Sequence, residues 1–334
     1  MNKVAVIIPA HDASRTIAQA IRSALAEPEV AEVVIVDDAS NDDTAAVART
    51  VDDGSGRLRV MALAKNVGPA EARNLAIGAS TAPWIAILDS DDAFLPGRFR
   101  RLFAYQGWDL AADNVALVPD RLRDDPAALT VPQFADDPQI LSLTRFIAGN
   151  LASGRMGRNE TGLLKPVISR DVLTRTGLHY DRTLRLGEDF ILYVRLMAQG
   201  ARFLTIRSCG YVAFQRGNSL SARHRTDDLG SFSRAARQIL SDDPLPPDAR
   251  DMLAKQELLT RNKYHHRLFL DRKSSGGLGH AAAQALRDPA RIWPILLLTA
   301  RDKRLALMQR LGLAAVPHDA VKVRYLLDAR ADGR

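Results

Sequence analysis

The chain has a single cysteine, Cys209, in 334 residues, which excludes an intramolecular disulfide framework and fits a reducing compartment. With no cysteine partner, Cys209 reads as a core residue, and any metal site has to be built from carboxylates. Long apolar runs are also missing. The strongest cluster outside the first hundred residues, Ile292-Trp293-Pro294-Ile295-Leu296-Leu297-Leu298, falls far short of the roughly 20 residues that span a bilayer. Met1-Asn2-Lys3 leads straight into Val4-Ala5-Val6-Ile7-Ile8-Pro9, too short and too soon broken by proline for a secretory signal, so a cytoplasmic protein is expected. No Gly-x-Gly-x-x-Gly follows an apolar run; Gly54-Ser55-Gly56 sits in a polar turn, which speaks against a dinucleotide-dependent oxidoreductase. Glutamate is absent from residues 262–334, where 14 Lys and Arg face 6 Asp, so the net charge of +7 belongs to the tail. A basic tail holding an apolar patch suits an anionic membrane surface or an acidic lipid-linked substrate, and a solvated basic helical domain is the plain alternative. With no aromatic-interleaved basic motif, no nucleic acid partner is expected.

What is present, 46% apolar and 25% charged residues, describes an ordinary globular protein with one sizeable core and a second, smaller unit. Residues 3–88 alternate between short apolar strands and helix-like stretches, the βαβ pattern of a parallel sheet covered on both faces. Strands are predicted at Val4 to Ile8, Val33 to Val36, Leu58 to Leu63 and Trp84 to Leu88. Helices are predicted at Ser14 to Leu25, with Ser14 as N-cap, at Asp42 to Val51 and at Pro69 to Ile77. Beyond Pro96 the pattern is mixed: a helix near Gly97 to Tyr105, a strand around Val115 to Val118, a loop or lid from Asp120 to Pro138, and an organised block from Gly162 to Ser221. After about Arg225 the chain reads as helical, with breaks at Pro244 to Pro247, Ser274 to Gly279, Pro289 and Pro317.

Each predicted strand of the first unit ends in a polar cluster: His11-Asp12, Asp37-Asp38, Asn66-Val67-Gly68 and Asp89-Ser90-Asp91-Asp92. The carboxyl edge of such a sheet is a single ligand crevice, so four clusters there point to one site. Three carboxylates within four residues call for a hard divalent cation, Mg2+ or Mn2+, if they are not simply a solvated acidic turn. An unpaired carboxylate at Asp38 can accept an imide N–H and so tell uracil from cytosine. Asn41 or Asp42 is the candidate N-cap of the next helix. Asn66-Val67-Gly68-Pro69 opens a helix that carries Arg73 one turn in, an arrangement that can hold a diphosphate or ribose by backbone N–H groups and a guanidinium. Gly187-Glu188-Asp189 opens a later helix with two acids; they either complement its dipole or supply a general base that deprotonates an acceptor hydroxyl.

In that order the motifs resemble the inverting nucleotide-sugar glycosyltransferases of family 2, from residue 3 to about 221. The resemblance rests on Val6-Ile7-Ile8-Pro9-Ala10-His11-Asp12, Val36-Asp37-Asp38-Ala39-Ser40, Asn66-Val67-Gly68 with Ala72-Arg73-Asn74, Leu88-Asp89-Ser90-Asp91-Asp92 and Gly187-Glu188-Asp189. It implies an α/β fold of GT-A type: a mostly parallel sheet flanked by helices, with a Rossmann-like nucleotide-binding half in a catalytic domain of residues 1–225 and a basic, mostly helical extension over 226–334. It further implies that Pro9, His11 and Asp38, with Asp12, Asn66, Gly68 and Arg73 around them, hold a UDP-sugar. Asp89 and Asp91, adjoined by Asp92, would hold Mg2+ or Mn2+ against the diphosphate, and Asp189, with Glu188 beside it, would be the base. Leu164-Lys165-Pro166-Val167-Ile168 and the block from Tyr211 to Ser221 look like relatives that build bacterial exopolysaccharides. Where many of those carry a histidine, Gln215-Arg216 stands here, so Arg216 is assigned to the diphosphate. The implied acceptor is a saccharide, polyprenyl-diphosphate-linked and presented at the inner face of the membrane. A catalytically inactive nucleotide-sugar-binding or scaffold protein and a nucleotidyltransferase are the alternatives; the second lacks its Gly- and Arg-rich loop after strand one. A phosphatase with a DxD nucleophile would carry that motif after its first strand, whereas here it follows the fourth.

Overall fold

In the computed structural model, which describes residues 2–124, 130–132, 134–151, 161–215, 225–286, 292–311 and 323–327, a ten-stranded sheet organises the chain. Its first half is built from β1 (Val4–Ala10), α1 (Ile17–Leu25), β2 (Val30–Asp37), α2 (Thr44–Thr50), β3 (Leu58–Ala62), α3 (Pro69–Gly78) and β4 (Trp84–Ile87). The four strands are mutually parallel in the order β3-β2-β1-β4. Val4 to Ile8 and Ile85 to Leu88 are fully buried, as continuous apolar strands covered on both faces must be. Each valine, isoleucine and leucine among them contributes about 1.5–3 kcal/mol of burial. The register aligns the strand ends: Ala10 lies opposite Asp37, Asp37 opposite Ala62, and Ile7 opposite Ile87. The chain order reverses between β1 and β4, which opens the ligand crevice of such sheets at their carboxyl ends.

The sheet then becomes mixed. It continues through β5 (Ala93–Phe94), α4 (Arg98–Phe103), β6 (Leu110–Pro119), β7 (Gln139–Leu141), α5 (Leu143–Asn150), β8 (Val167–Ser169), α6 (Arg170–Thr176), α7 (Glu188–Ala198) and β9 (Phe203–Gln215). β8 pairs antiparallel with both β4 and β6, β9 runs parallel to β6, and β5 and β7 pair antiparallel with β9. Behind β9, the wholly buried Arg98 grips Asp113 through Nε and Nη2. Gly210 is required there, because a Cβ would lie 1.9 Å from Asp113 Oδ2. The remaining chain forms α8 (Thr226–Asp242), α9 (Pro247–Leu286) and α10 (Ile292–Arg310), and returns to the sheet as β10 (Arg324–Tyr325), antiparallel to β6.

Several boundaries differ from the sequence expectation. β6 spans ten residues and β9 thirteen, longer than the apolar patterning suggested. Ser14 is not the N-cap of α1, which begins at Ile17; the Ser14 backbone N–H instead donates to Asp42 Oδ2. The N-cap of α2 is Asp43, not the expected Asn41 or Asp42, although Asp42 Oδ1 accepts the N–H of Thr44, which opens the helix. The break expected at Ser274 to Gly279 is a kink at Gly277 (φ 80°) where two helical runs of α9 meet.

Candidate active site

Two clusters face the crevice, joined by α3. In the first, the tight turn leaving β2 holds the turn before α3. Asp38 is buried, and its Oδ1 and Oδ2 accept the backbone N–H groups of Val67 (2.6 Å) and Gly68 (2.8 Å). Gly68 has φ 88°, a left-handed conformation that favours glycine, and forms the N-cap of α3. The Asp38 carbonyl accepts from Asn66 Nδ2 at 3.1 Å and lies 2.9 Å from His11 Nδ1. Asp12, itself at φ 50°, accepts the Asn41 N–H at 2.7 Å. His11, Asp38, Asn66 and Gly68 are therefore brought together as expected. Both Asp38 oxygens accept a backbone N–H, so this carboxylate shapes the turn, and each oxygen keeps a second lone pair that can accept an imide N–H. His11 and Asn66 are exposed and form the polar edge of this cluster.

The second cluster gathers three segments around two buried cations. Arg73, on α3, reaches Glu188 Oε1 at 2.5 Å, Asp89 Oδ1 at 3.0 Å and Asp189 Oδ1 at 3.8 Å, with its guanidinium over the Tyr180 ring. Lys165, between α5 and β8, bonds Asp89 Oδ2 at 2.8 Å and Asp189 Oδ2 at 2.9 Å. Two cations thus face three carboxylates in a site that excludes most water. Burial works against the Asp89 charge, but Lys165 and Arg73 outweigh it and hold the carboxyl well below the usual range. Burial likewise opposes the Lys165 charge, and Asp189 and Asp89 overcome it, raising the ammonium above the ordinary lysine value. Glu188 and Asp189 open α7, where the helix dipole favours acids. Gly187 sets their entry at φ 71°, packed so closely that a Cβ would lie 2.6 Å from the Phe232 ring. Asp189 Oδ1 is buried and makes no hydrogen bond.

These motifs can be compared with known proteins. A model of glycosyl transferase family 2 matches residues 5–157. The chain is 47% identical over 333 residues to the succinoglycan biosynthesis protein ExoU of Rhizobium meliloti (strain 1021), covering 98% of this chain and 96% of that one. The chain belongs to glycosyl transferase family 2. It is a glycosyltransferase, and its fold is GT-A. Among solved structures it resembles residues 1–349 of S. aureus TarS in complex with UDP (TM-score 0.59, 18% identity, 97% of this chain and 99% of that one). It also resembles the mannosyltransferase PcManGT of Pyrobaculum calidifontis in complex with GDP-Man and Mn2+ (TM-score 0.53, 18% identity, 93% and 83%).

In the transferase Asp92 turns away from Asp89 into the sheet, where its carboxyl accepts from Tyr211 Oη (2.7 Å) and the Phe214 N–H (3.0 Å). Tyr211 Oη in turn accepts the Asp89 N–H, so Asp92 anchors the acidic turn to β9 with both of its oxygens engaged. Burial, with the nearby charges of Asp91 and Asp89, pushes its pKa well above the usual carboxylate value. Among the described residues no three His, Cys, Asp or Glu side chains form a metal cage. Of the remaining donors, Asp89 already has its Oδ1 on Arg73 and its Oδ2 on Lys165, so a hard cation there would have to take the place of one of them. Asp89 is 29% exposed and Asp91 half-buried on the same turn, and one or two carboxylates plus phosphate oxygens are how Mg2+ is commonly held. Arg216 lies outside the described residues, and Pro9 is half-buried at the end of β1. Sequence reasoning gave Lys165 no role, although a lone lysine inside Leu163-Leu164-Lys165-Pro166-Val167-Ile168 is a signal: a cation in an apolar run needs an acidic partner.

Proposed function

We propose that this transferase moves a sugar from a UDP-sugar to a saccharide hydroxyl with inversion, in the assembly of a bacterial exopolysaccharide. The observation that carries the proposal is the convergence of Arg73, Lys165, Asp89, Glu188 and Asp189, from distant parts of the chain, beside the carboxyl edge of a parallel sheet. The uridine sits against His11 and Asn66, with Pro9 and Asp12 near it. The diphosphate lies toward Arg73 and the turn after β4, where Arg216 is assigned to reach it. Asp89 and Asp91 would hold Mg2+ or Mn2+, which when bound supplies positive charge to the departing diphosphate.

Asp189 is the base. Lys165 fixes its Oδ2, and the carboxylate takes the acceptor proton. The acceptor oxygen then attacks the anomeric carbon as the bond from that carbon to the diphosphate oxygen breaks, and UDP leaves with both electrons. Glu188 is committed to Arg73 and acts as its counter-ion. Arg73 and Lys165 are fixed charges that need no reorganisation as negative charge develops on UDP. Identity of 47% to a succinoglycan biosynthesis protein over nearly the whole chain supports an exopolysaccharide acceptor. A polyprenyl-diphosphate-linked saccharide at the cytoplasmic face of the membrane is the form proposed.

Incubating the purified chain with a panel of UDP-sugars without acceptor should reveal slow hydrolysis of one of them. Calorimetry should give UDP binding that weakens sharply without Mn2+ or in Asp91→Ala. Metal-independent binding of NAD, or no binding of any uridine nucleotide, would remove the proposal.

A further inference from the structure

α10 is apolar on two opposite faces, and among the described residues only one of them is packed. Ile295 is buried against α9, and Thr299, on the same side, lies 3.2 Å from His266 Nε2 on α9. On the opposite side, at about 100° per residue, Trp293, Leu296, Leu297, Leu307 and Leu311 fall within an arc of about 100°. These five are between 54% and 71% exposed. An apolar stripe this exposed is unusual on a soluble surface helix. Its charges are ordered as well. Arg304 lies within the stripe, Arg301 flanks one side and Lys303 the other, all exposed. Asp302, the one acid of α10, lies on the inner side, 3.9 Å from His266. No acid therefore interrupts the outer face.

We infer that the outer face of α10 is a docking surface for an anionic lipid bilayer, with Trp293 and the leucines in the acyl boundary and Arg301, Lys303 and Arg304 at the headgroups. Long basic side chains bury their stems along an apolar stripe while keeping the charge in water, which suits the two flanking positions. Among the described residues no helix is long and apolar enough to cross a membrane, so the helix lies in the interface. A second copy of the chain is a poorer occupant, because a two-fold contact on this face would set cations against their own copies without any acid to pair them. The surface rests on the glycosyl-transfer reading only for its purpose, which is to bring the site to a lipid-linked acceptor.

The test is co-sedimentation of the full chain with vesicles of phosphatidylglycerol or of phosphatidylcholine. Binding to the anionic vesicles should be at least about tenfold stronger, should fall with salt, and should shift Trp293 emission to the blue, since Trp108 is buried and Trp84 half-buried. The double variants W293S/L297S and R301E/R304E should each lose about tenfold in vesicle partition. Both should keep wild-type UDP affinity, so that loss of nucleotide binding would indict the site and not the surface. Equal partition to both vesicle types, or no change in either variant, overturns the inference. So does a dimer in sedimentation velocity that W293S/L297S converts to monomer, which would make the face an interface between copies.

Discussion

Lys165 Nζ lies 2.9 Å from Asp189 Oδ2 and, at 2.8 Å from Asp89 Oδ2, ties the proposed base to the acidic turn after β4. Replacing the lysine with methionine keeps the stem and deletes the charge. Lys165→Met should lower kcat by about 10²–10³ with a smaller change in KM, because a fixed charge near the departing diphosphate acts mainly in the transition state. Steady-state kinetics with the preferred UDP-sugar checks this; an unchanged kcat would assign the lysine to structure alone.

The same variant carries a pH signature. The Lys165 pKa is raised, so its contribution to stability is complete below the ordinary lysine range and is lost only as pH rises through the folded value. The Asp89 pKa is depressed, so its contribution is present above the ordinary carboxylate range and is lost as pH falls through the folded value. Between those limits neither group changes charge. Urea unfolding of Lys165→Met against wild type should therefore show the same cost, about 1–3 kcal/mol, at about pH 6 and about pH 9.

Asp92 should behave in the opposite sense. Its folded pKa is raised by burial and by Asp91 and Asp89, so the stability it contributes is present below the ordinary carboxylate value and is lost as pH rises through the folded one. Asp92→Asn removes that titration while an amide can still accept the Phe214 N–H and meet Tyr211 Oη. Relative to wild type, the variant should gain stability between about pH 5 and about pH 8, and it should still bind UDP. A sharp loss of metal-dependent UDP binding in Asp92→Asn would make this residue a ligand.

Gly187→Ala should cost about 1–3 kcal/mol, because the residue sits at φ 71° and its new Cβ would meet the Phe232 ring. Thermal unfolding measures that cost. Transfer should fall further than stability alone explains, because the start of α7 aims Glu188 and Asp189; Phe232→Ala in the same background should recover part of the fold but not the activity.

The nucleotide half of the fold was legible because continuous valine and isoleucine runs ending in acids have few other readings. The strand ends at Asp37 and near Leu88, and the α3 turn at Gly68, fell within a residue or two of their predicted places. What the sequence could not reveal was direction. Asp89-Ser90-Asp91-Asp92 does not say which carboxylate faces the crevice; that follows from Tyr211, 119 residues beyond Asp92, whose hydroxyl claims Asp92. Nor does the doublet Asp37-Asp38 say that the second carboxylate accepts from Val67 and Gly68. β8 is three residues long and antiparallel between β4 and β6, a pairing fixed by tertiary contacts with no local pattern. Lys165 was hidden for the same reason, since its acidic partners come from other segments.

The most direct test of the catalytic assignment separates binding from transfer in Asp189→Asn. An amide cannot accept the acceptor's proton, yet it keeps the volume and one oxygen for Lys165. UDP-sugar affinity by calorimetry should stay within a few-fold of wild type, while transfer measured on the same preparation should drop by about 10²–10⁴. Transfer at the wild-type rate would contradict the assignment and move the base to Glu188 or elsewhere.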